Sequence, residues 1–292
     1  MAKLDWRPWP LRVTWALLPL LLGPLLADAL DPRDGLFRRG VSIALWATWA
    51  VTLIATAIPR PLTLTLVRIV VPASSAAAVW AALAHGAHAN TAVGLVAAVV
   101  ATVCALLPTT GDAFADGASY GDERRFLLRA PGAFLLGPIE LGWAVIVAGV
   151  AVGPLLLLAR QWIAGAIVTV VGGLVVWRVW RSLDALSNRW LVFVPAGVVL
   201  HDALVLAEPT LFARTNITSF GPAPATTGAL DLSVNALGLA LQVDLEVPQS
   251  LAIIEGPARR RSAEARPVTS LMIAPSRPGA VAIEASTRHL TA

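Results

Sequence analysis

Six apolar blocks separated by short polar breaks occupy most of the first 185 residues: Val13–Leu30, Val41–Ile58, Leu64–Ala84, Thr91–Leu107, Ile139–Leu158 and Trp162–Leu183. Each approaches the ~20 residues needed to cross ~30 Å of hydrocarbon, so the pattern predicts six transmembrane helices. Four blocks precede, and two follow, the one long polar interruption, Leu107–Pro131, which reads LPTTGDAFADGASYGDERRFLLRAP. The first block has two readings. Ala27-Asp28-Ala29 resembles a signal-peptide cleavage site; a retained helix kinked at Pro19 and Pro24 is the reading we favour, because further membrane segments follow.

Beyond Leu183 the period shortens. Trp190–Val194 and Val198–His201 flank the turn signal Pro195-Ala196-Gly197. Leu239, Leu241, Val243, Leu245 and Val247 alternate with Ala240, Gln242, Asp244 and Glu246, the period of a strand with one buried face. Leu251–Ile254 and Val268–Ile273 are further strand candidates. Ser276 and Pro278 open a final helix running to about His289, and Gly221–Gly228 and Glu255–Pro267 read as loops. The expected fold is a membrane α-helical bundle over residues 1–185, followed by a small cytoplasmic β-rich domain over residues 186–292.

Composition supports lipid as the main solvent. The chain is 57% hydrophobic and 14% charged, with mean hydropathy +0.73, against about 25% charge in soluble domains. Glycines within the blocks, such as Gly149 and Gly172, suit close helix approach. Tryptophans near block ends, such as Trp15, Trp80, Trp162 and Trp177, suit an interfacial belt. Lys3 is the sole lysine, a bias we ascribe to a GC-rich genome. The arginines lie at block ends rather than on one face, which argues against nucleic-acid binding. With the N-terminus inside, eleven cations (Lys3, Arg7, Arg12, Arg60, Arg68, Arg124, Arg125, Arg129, Arg178, Arg181, Arg189) face the cytoplasm against four (Arg33, Arg38, Arg39, Arg160) outside. Both termini and the Leu107–Pro131 loop are therefore expected to be cytoplasmic at a bacterial plasma membrane.

The run RWLVFVPAGVVLHDALVLAEPTLFARTNITSF, Arg189–Phe220, resembles the opening strands of bacterial pleckstrin-homology-like domains. The order of helices, GDER-containing loop and C-terminal domain is similar to uncharacterised multi-pass membrane proteins of high-GC Gram-positive bacteria. The resemblance implies a seven-stranded bent sheet with a capping helix, Ile217 in the strand that closes the first sheet, and an adaptor-like rather than catalytic role.

Candidate chemistry is sparse. The loop carries Asp112, Asp116, Asp122 and Glu123, then Arg124, Arg125 and Arg129, with Phe114, Tyr120 and Phe126 interleaved. The acids lack the EF-hand order, and aromatics argue against a merely solvated connection, so these residues are expected to form a protein-contact surface. Glu140 is an ionisable group just inside the fifth block, with Arg129 or Arg68 as candidate partners. His85 and His88 lie three apart without further ligands nearby, which favours interfacial histidines over a metal site. Arg259, Arg260 and Arg261 suit contact with anionic lipid or with solvent. Asn216-Ile217-Thr218 is an incidental sequon. Cys104 alone allows no intramolecular disulfide or cysteine metal cage, and nucleophile elbows, phosphate loops and zinc-protease motifs are missing. No cofactor is expected. The resulting expectation is a non-enzymatic scaffold or regulatory subunit that binds a membrane or cytoplasmic protein. The alternative is a transporter or channel subunit using Glu140, with a lipid-active enzyme third.

Overall fold

The computed structural model describes residues 5–85, 89–135, 137–255 and 262–290. The chain forms two compact units, Met1–Phe114 with Glu140–Asp184, and Ala115–Ile139 with Ala185–Ala292. The apolar blocks are helices α1 (Trp9–Leu30), α2 (Gly35–Ala57), α3 (Pro61–His85) and α4 (Ala89–Leu106), continued by α5 (Pro108–Asp116). After β1 (Arg124–Leu127) and the single turn α6 (Gly132–Leu135) come α7 (Pro138–Leu158) and α8 (Trp162–Ser187). Among the described residues, five helices are long and apolar enough to cross a bilayer, and α4 with α5 makes a sixth if the bent pair is one span. The chain is thus a multi-pass membrane protein whose helices contact lipid.

α1 is the hub of the first unit. Leu11, Trp15, Leu18, Leu22, Leu25 and Ala29 recur at three- and four-residue steps and are all buried, forming one helical stripe against α2, α3 and α4. α4 answers with Ala98, Ala101 and Ala105, all inaccessible, and with Gly94, where a Cβ would sit 3.2 Å from Leu22 and Leu25. Elsewhere in this unit, a Cβ on Gly172 of α8 would lie 2.9 Å from the Gly149 carbonyl of α7. Close approach through small residues replaces the hydrophobic drive that lipid does not supply.

Prolines break the ladder at defined points. Pro19 cannot donate to the Trp15 carbonyl four residues earlier; the Trp49 indole of α2 donates to it at 2.9 Å, and Trp15 Nε1 donates to Trp49 O at 3.0 Å. Pro108 likewise frees the Cys104 carbonyl, which accepts from Thr110 Oγ1 at 2.7 Å. There the helix bends by 53° between α4 and α5. The expected loop from Leu107 therefore starts as a helix, and Asp112 and Phe114 are fully buried within it.

The second unit is built from two separated stretches of chain. Its elements are β1, α6, β2 (Trp190–Val194), β3 (Gly197–His201), β4 (Thr210–Ala213), a 3-10 turn at Arg214–Asn216, β5 (Ile217–Pro222), β6 (Leu230–Asp231), β7 (Leu241–Glu255), β8 (Ser262–Ile273) and α9 (Pro278–Thr287). They form two four-stranded sheets, β1-β2-β3-β4 and β5-β7-β8-β6. All neighbours are antiparallel except β6 and β8. β1 pairs with β2 so that Arg124 stands opposite Phe193 and Leu127 opposite Trp190. Strands cannot pair across a bilayer, so this part of the loop and the C-terminal region share one side of it. Phe126, Phe193, Phe220, Val243 and Leu271 from both sheets join Val281 and Ala285 of α9 in one core.

A buried ion pair closes this unit. Arg189, 1% exposed, meets Asp202 through two bonds of 2.7 Å (Nε to Oδ1, Nη2 to Oδ2), and its Nη1 donates to Arg129 O at 2.8 Å. The Arg189 carbonyl accepts from Leu128 N–H at 2.9 Å, so one residue fastens the loop-derived segment to the C-terminal strands.

Several expectations change. The two strands expected at Leu239–Val247 and Leu251–Ile254 are one, β7, with a register break between Asp244 and Gln249. Pro248, which has no N–H for the ladder, lies in that break, and Val247 is exposed there. Leu239 precedes the strand and is half exposed. Ile217 opens β5 in the second sheet rather than closing the first. Ser262–Pro267 is strand rather than loop. The N-cap of α9 is Arg277 rather than Ser276, and the helix ends at Thr287.

Replacing Asp202 with alanine leaves Arg189 buried without its carboxylate, a loss expected to cost about 3–5 kcal/mol. Hydrogen exchange on the full-length protein in detergent is expected to show faster exchange across β1, β2 and β3 while α1 stays protected.

Candidate functional site

The first unit holds buried charge where lipid-spanning helices ordinarily have none. Thr65 and Arg68 lie three residues apart on α3 and so share a face. Thr65, 2% exposed, donates to Asp184 Oδ1 of α8 at 2.9 Å. Arg68 interacts electrostatically with Asp112 of α5, which is inaccessible to solvent, and its Nε is buried without a hydrogen-bond partner. One residue on, the Ile69 carbonyl accepts the Trp143 indole of α7 at 2.9 Å. α3 is thus tied to α8 through Thr65 and Asp184, to α7 through the Ile69 carbonyl and Trp143, and electrostatically to α5 through Arg68 and Asp112. The bend before α5 places Asp112 on a half-helix, the arrangement by which discontinuous helices form ion sites inside membranes.

The other loop candidates belong to the second unit. Asp116, at the end of α5, pairs with Arg124 at 3.1 Å and accepts the Arg125 N–H at 3.0 Å. Glu123 pairs with Arg125 at 3.0 Å, and that hydrogen bond holds its carboxyl below the usual range. Arg125 also lies over the Trp190 ring. The Asp122 carbonyl accepts from Arg288 at 2.6 Å, and Arg129 Nη1 donates to the Leu237 carbonyl at 2.6 Å. Tyr120 is 87% exposed. The segment expected to bind a separate protein thus spends much of its polarity within its own chain.

Glu140 stands exposed in the first turn of α7 rather than within the bundle. Arg259, Arg260, Arg261 and His88 lie outside the described residues, and His85 ends α3. Among the described residues no group of three His, Cys, Asp or Glu is arranged to hold a metal. The sequence pattern offered Arg68 as an orientation charge and as a candidate partner of Glu140, and gave Asp184 no role. Their signal was an ionisable residue within, or at the last turn of, an apolar block.

A second polar set lies on the β5–β7–β8 sheet. Asp244 accepts from Ser219 and Ser270, each at 2.5 Å, and from Gln242 at 2.8 Å. Burial works to raise this carboxyl, but the three hydrogen bonds outweigh it and hold it below the usual range. Ser219, Gln242 and Asp244 line a cavity of about 300 Å³. On the other sheet His201 stacks on Trp190, with centroids 4.7 Å apart. Burial lowers its proton affinity and Arg125 adds to the effect, against the opposing pull of Asp202.

The chain is similar to a protein of Rhodopseudomonas palustris (strain BisA53) named "Putative manganese efflux pump MntP", at 29% identity over 126 residues. The match covers 38% of this chain and 63% of that protein. No family model and no solved structure matches the chain. This likeness overturns the expected scaffold or regulatory subunit in favour of the transport alternative. The physical ground agrees: buried charge lies among the helices, while the loop strand is consumed by its own sheet.

Two outcomes test these sites. Thr110→Val leaves the Cys104 carbonyl without its donor and is expected to cost about 1 kcal/mol, read as a lower melting temperature in detergent, with Thr110→Ser restoring it. Acidification is expected to weaken the second unit. Below about pH 6.5 the unfolded chain binds a proton that folded His201 resists, and near about pH 4 Asp244 behaves likewise. Both shifts are depressions, so stability is present at neutral pH and falls with pH. Exchange rates in the second unit at pH 7.5 and pH 5.5 should show it, with His201→Gln flattening the difference.

Proposed function

We propose that this chain is a transporter that moves a divalent metal cation of the manganese class out across a bacterial plasma membrane. The observation that carries it is the inaccessible Asp112 just after the α4–α5 break, interacting electrostatically with Arg68 of α3, whose face also holds the hydrogen bond from Thr65 to Asp184. Carboxylate and hydroxyl oxygens are the hard donors such an ion takes, and buried ionisable groups in a membrane mark ion paths. The likeness to a protein named as a manganese efflux pump supports the choice of ion. The arginine bias supports cytoplasmic termini, which puts Thr65 and Arg68, in the first turns of α3, and Asp184, near the end of α8, at the inner face where an exporter loads. The paired sheets and α9 are compatible with a pleckstrin-homology-like domain, here completed by a strand from between α5 and α7.

Purified protein in liposomes, with a manganese-quenched dye on the far side, is the test. Wild type is expected to carry Mn²⁺ and Asp112→Asn to reduce the rate at least about tenfold, the loss of about 1.4 kcal/mol of barrier stabilisation or more. Glu140→Gln is expected to keep it. Absence of Mn²⁺ flux in wild type overturns the proposal.

A further inference from the structure

We propose that Leu237 and Leu239, with Phe134 and Leu135 of α6, form a patch that seats the β-rich domain on the bilayer its own chain crosses. The patch is independent of the transport reading. All four side chains are apolar and exposed, Leu237 by 64%, Leu239 by 50%, Phe134 by 42% and Leu135 by 37%. Exposed apolar groups gathered in one place mark a surface that something covers. The two stretches are held together within the second unit. Arg129 Nη1 donates to the Leu237 carbonyl at 2.6 Å, and a Cβ on Gly132, the first residue of α6, would lie 3.5 Å from Leu237 Cγ.

Chain connection supplies the occupant. α6 ends at Leu135 and the membrane-spanning α7 begins at Pro138, so three peptide steps, ~11 Å at most, separate the patch from a helix that enters lipid. A second path runs from α8, which ends at Ser187: Arg189 Nη1 donates to the Arg129 carbonyl, and Arg129 in turn holds Leu237. The leucines thus belong to the part of the domain that the chain keeps close to the bilayer surface. Local chemistry suits that surface. From Leu232 to Val243 the chain carries no charged residue, so seating this loop among headgroups buries no ion. Val234, Asn235 and Gly238 all take positive φ, which turns the loop sharply. Arg129 places a cation beside the leucines, the pairing of apolar anchor and basic residue that membrane-surface segments use.

Full-length protein carrying Leu237→Cys on a Cys104→Ser background tests the patch, labelled with an environment-sensitive dye and reconstituted in phosphatidylcholine–phosphatidylglycerol vesicles. Two quenchers are compared, a phospholipid spin-labelled near its headgroup and iodide on both sides of the membrane. Shallow insertion predicts that the lipid-borne quencher removes about half of the emission or more, while iodide quenches at least about fivefold less than it does the free dye. Leu239→Cys carries the measurement if the first variant does not elute as wild type does. A label open to iodide overturns the patch. So does a label shielded from both quenchers, which puts protein rather than lipid over the leucines. Neither result bears on Mn²⁺ flux, so the transport reading stands or falls separately.

Discussion

A carbonyl left without a donor in hydrocarbon is costly, and the membrane unit meets that demand at two of the prolines that create it. Pro19 frees Trp15, and the reciprocal Trp15–Trp49 pair ties α1 to α2. Pro108 frees Cys104, and Thr110 takes it. The second case has the larger consequence, because the chain bends there and Asp112 rides on the resulting half-helix. A backbone defect thus becomes the means by which a charge is brought among lipid-spanning helices.

Arg189 and Arg68 differ in kind. Arg189 is saturated, paired with Asp202 and with the Arg129 carbonyl, and it completes a sheet whose strands come from distant parts of the chain. Arg68 is incompletely satisfied. Arg189 thus donates from all three nitrogens, while Arg68 keeps a buried Nε without an acceptor.

The loop between α5 and α7 acquires its meaning from these constraints. Its acids and arginines are organised as a brace, Asp116 to Arg124 and Glu123 to Arg125, at the start of a strand that joins β2. The half-helix that carries Asp112 ends at Asp116, and after seven intervening residues the strand that completes the second unit begins at Arg124.

Hydropathy alone determined the helices, because ~20 apolar residues have few alternatives in a membrane, and it placed the β2–β3 hairpin through its turn residues. It also supplied the alternation of Leu241, Val243 and Leu245. What only the tertiary structure decided was long-range: that Leu107–Pro131 divides into a buried half-helix and an edge strand, that Val247 is exposed at the register break beside Pro248, and that Glu140 is exposed while Asp112 is inaccessible. Period and composition are local properties. Which carboxylate faces which guanidinium depends on helices more than 40 residues apart in the chain, and no local pattern encodes that.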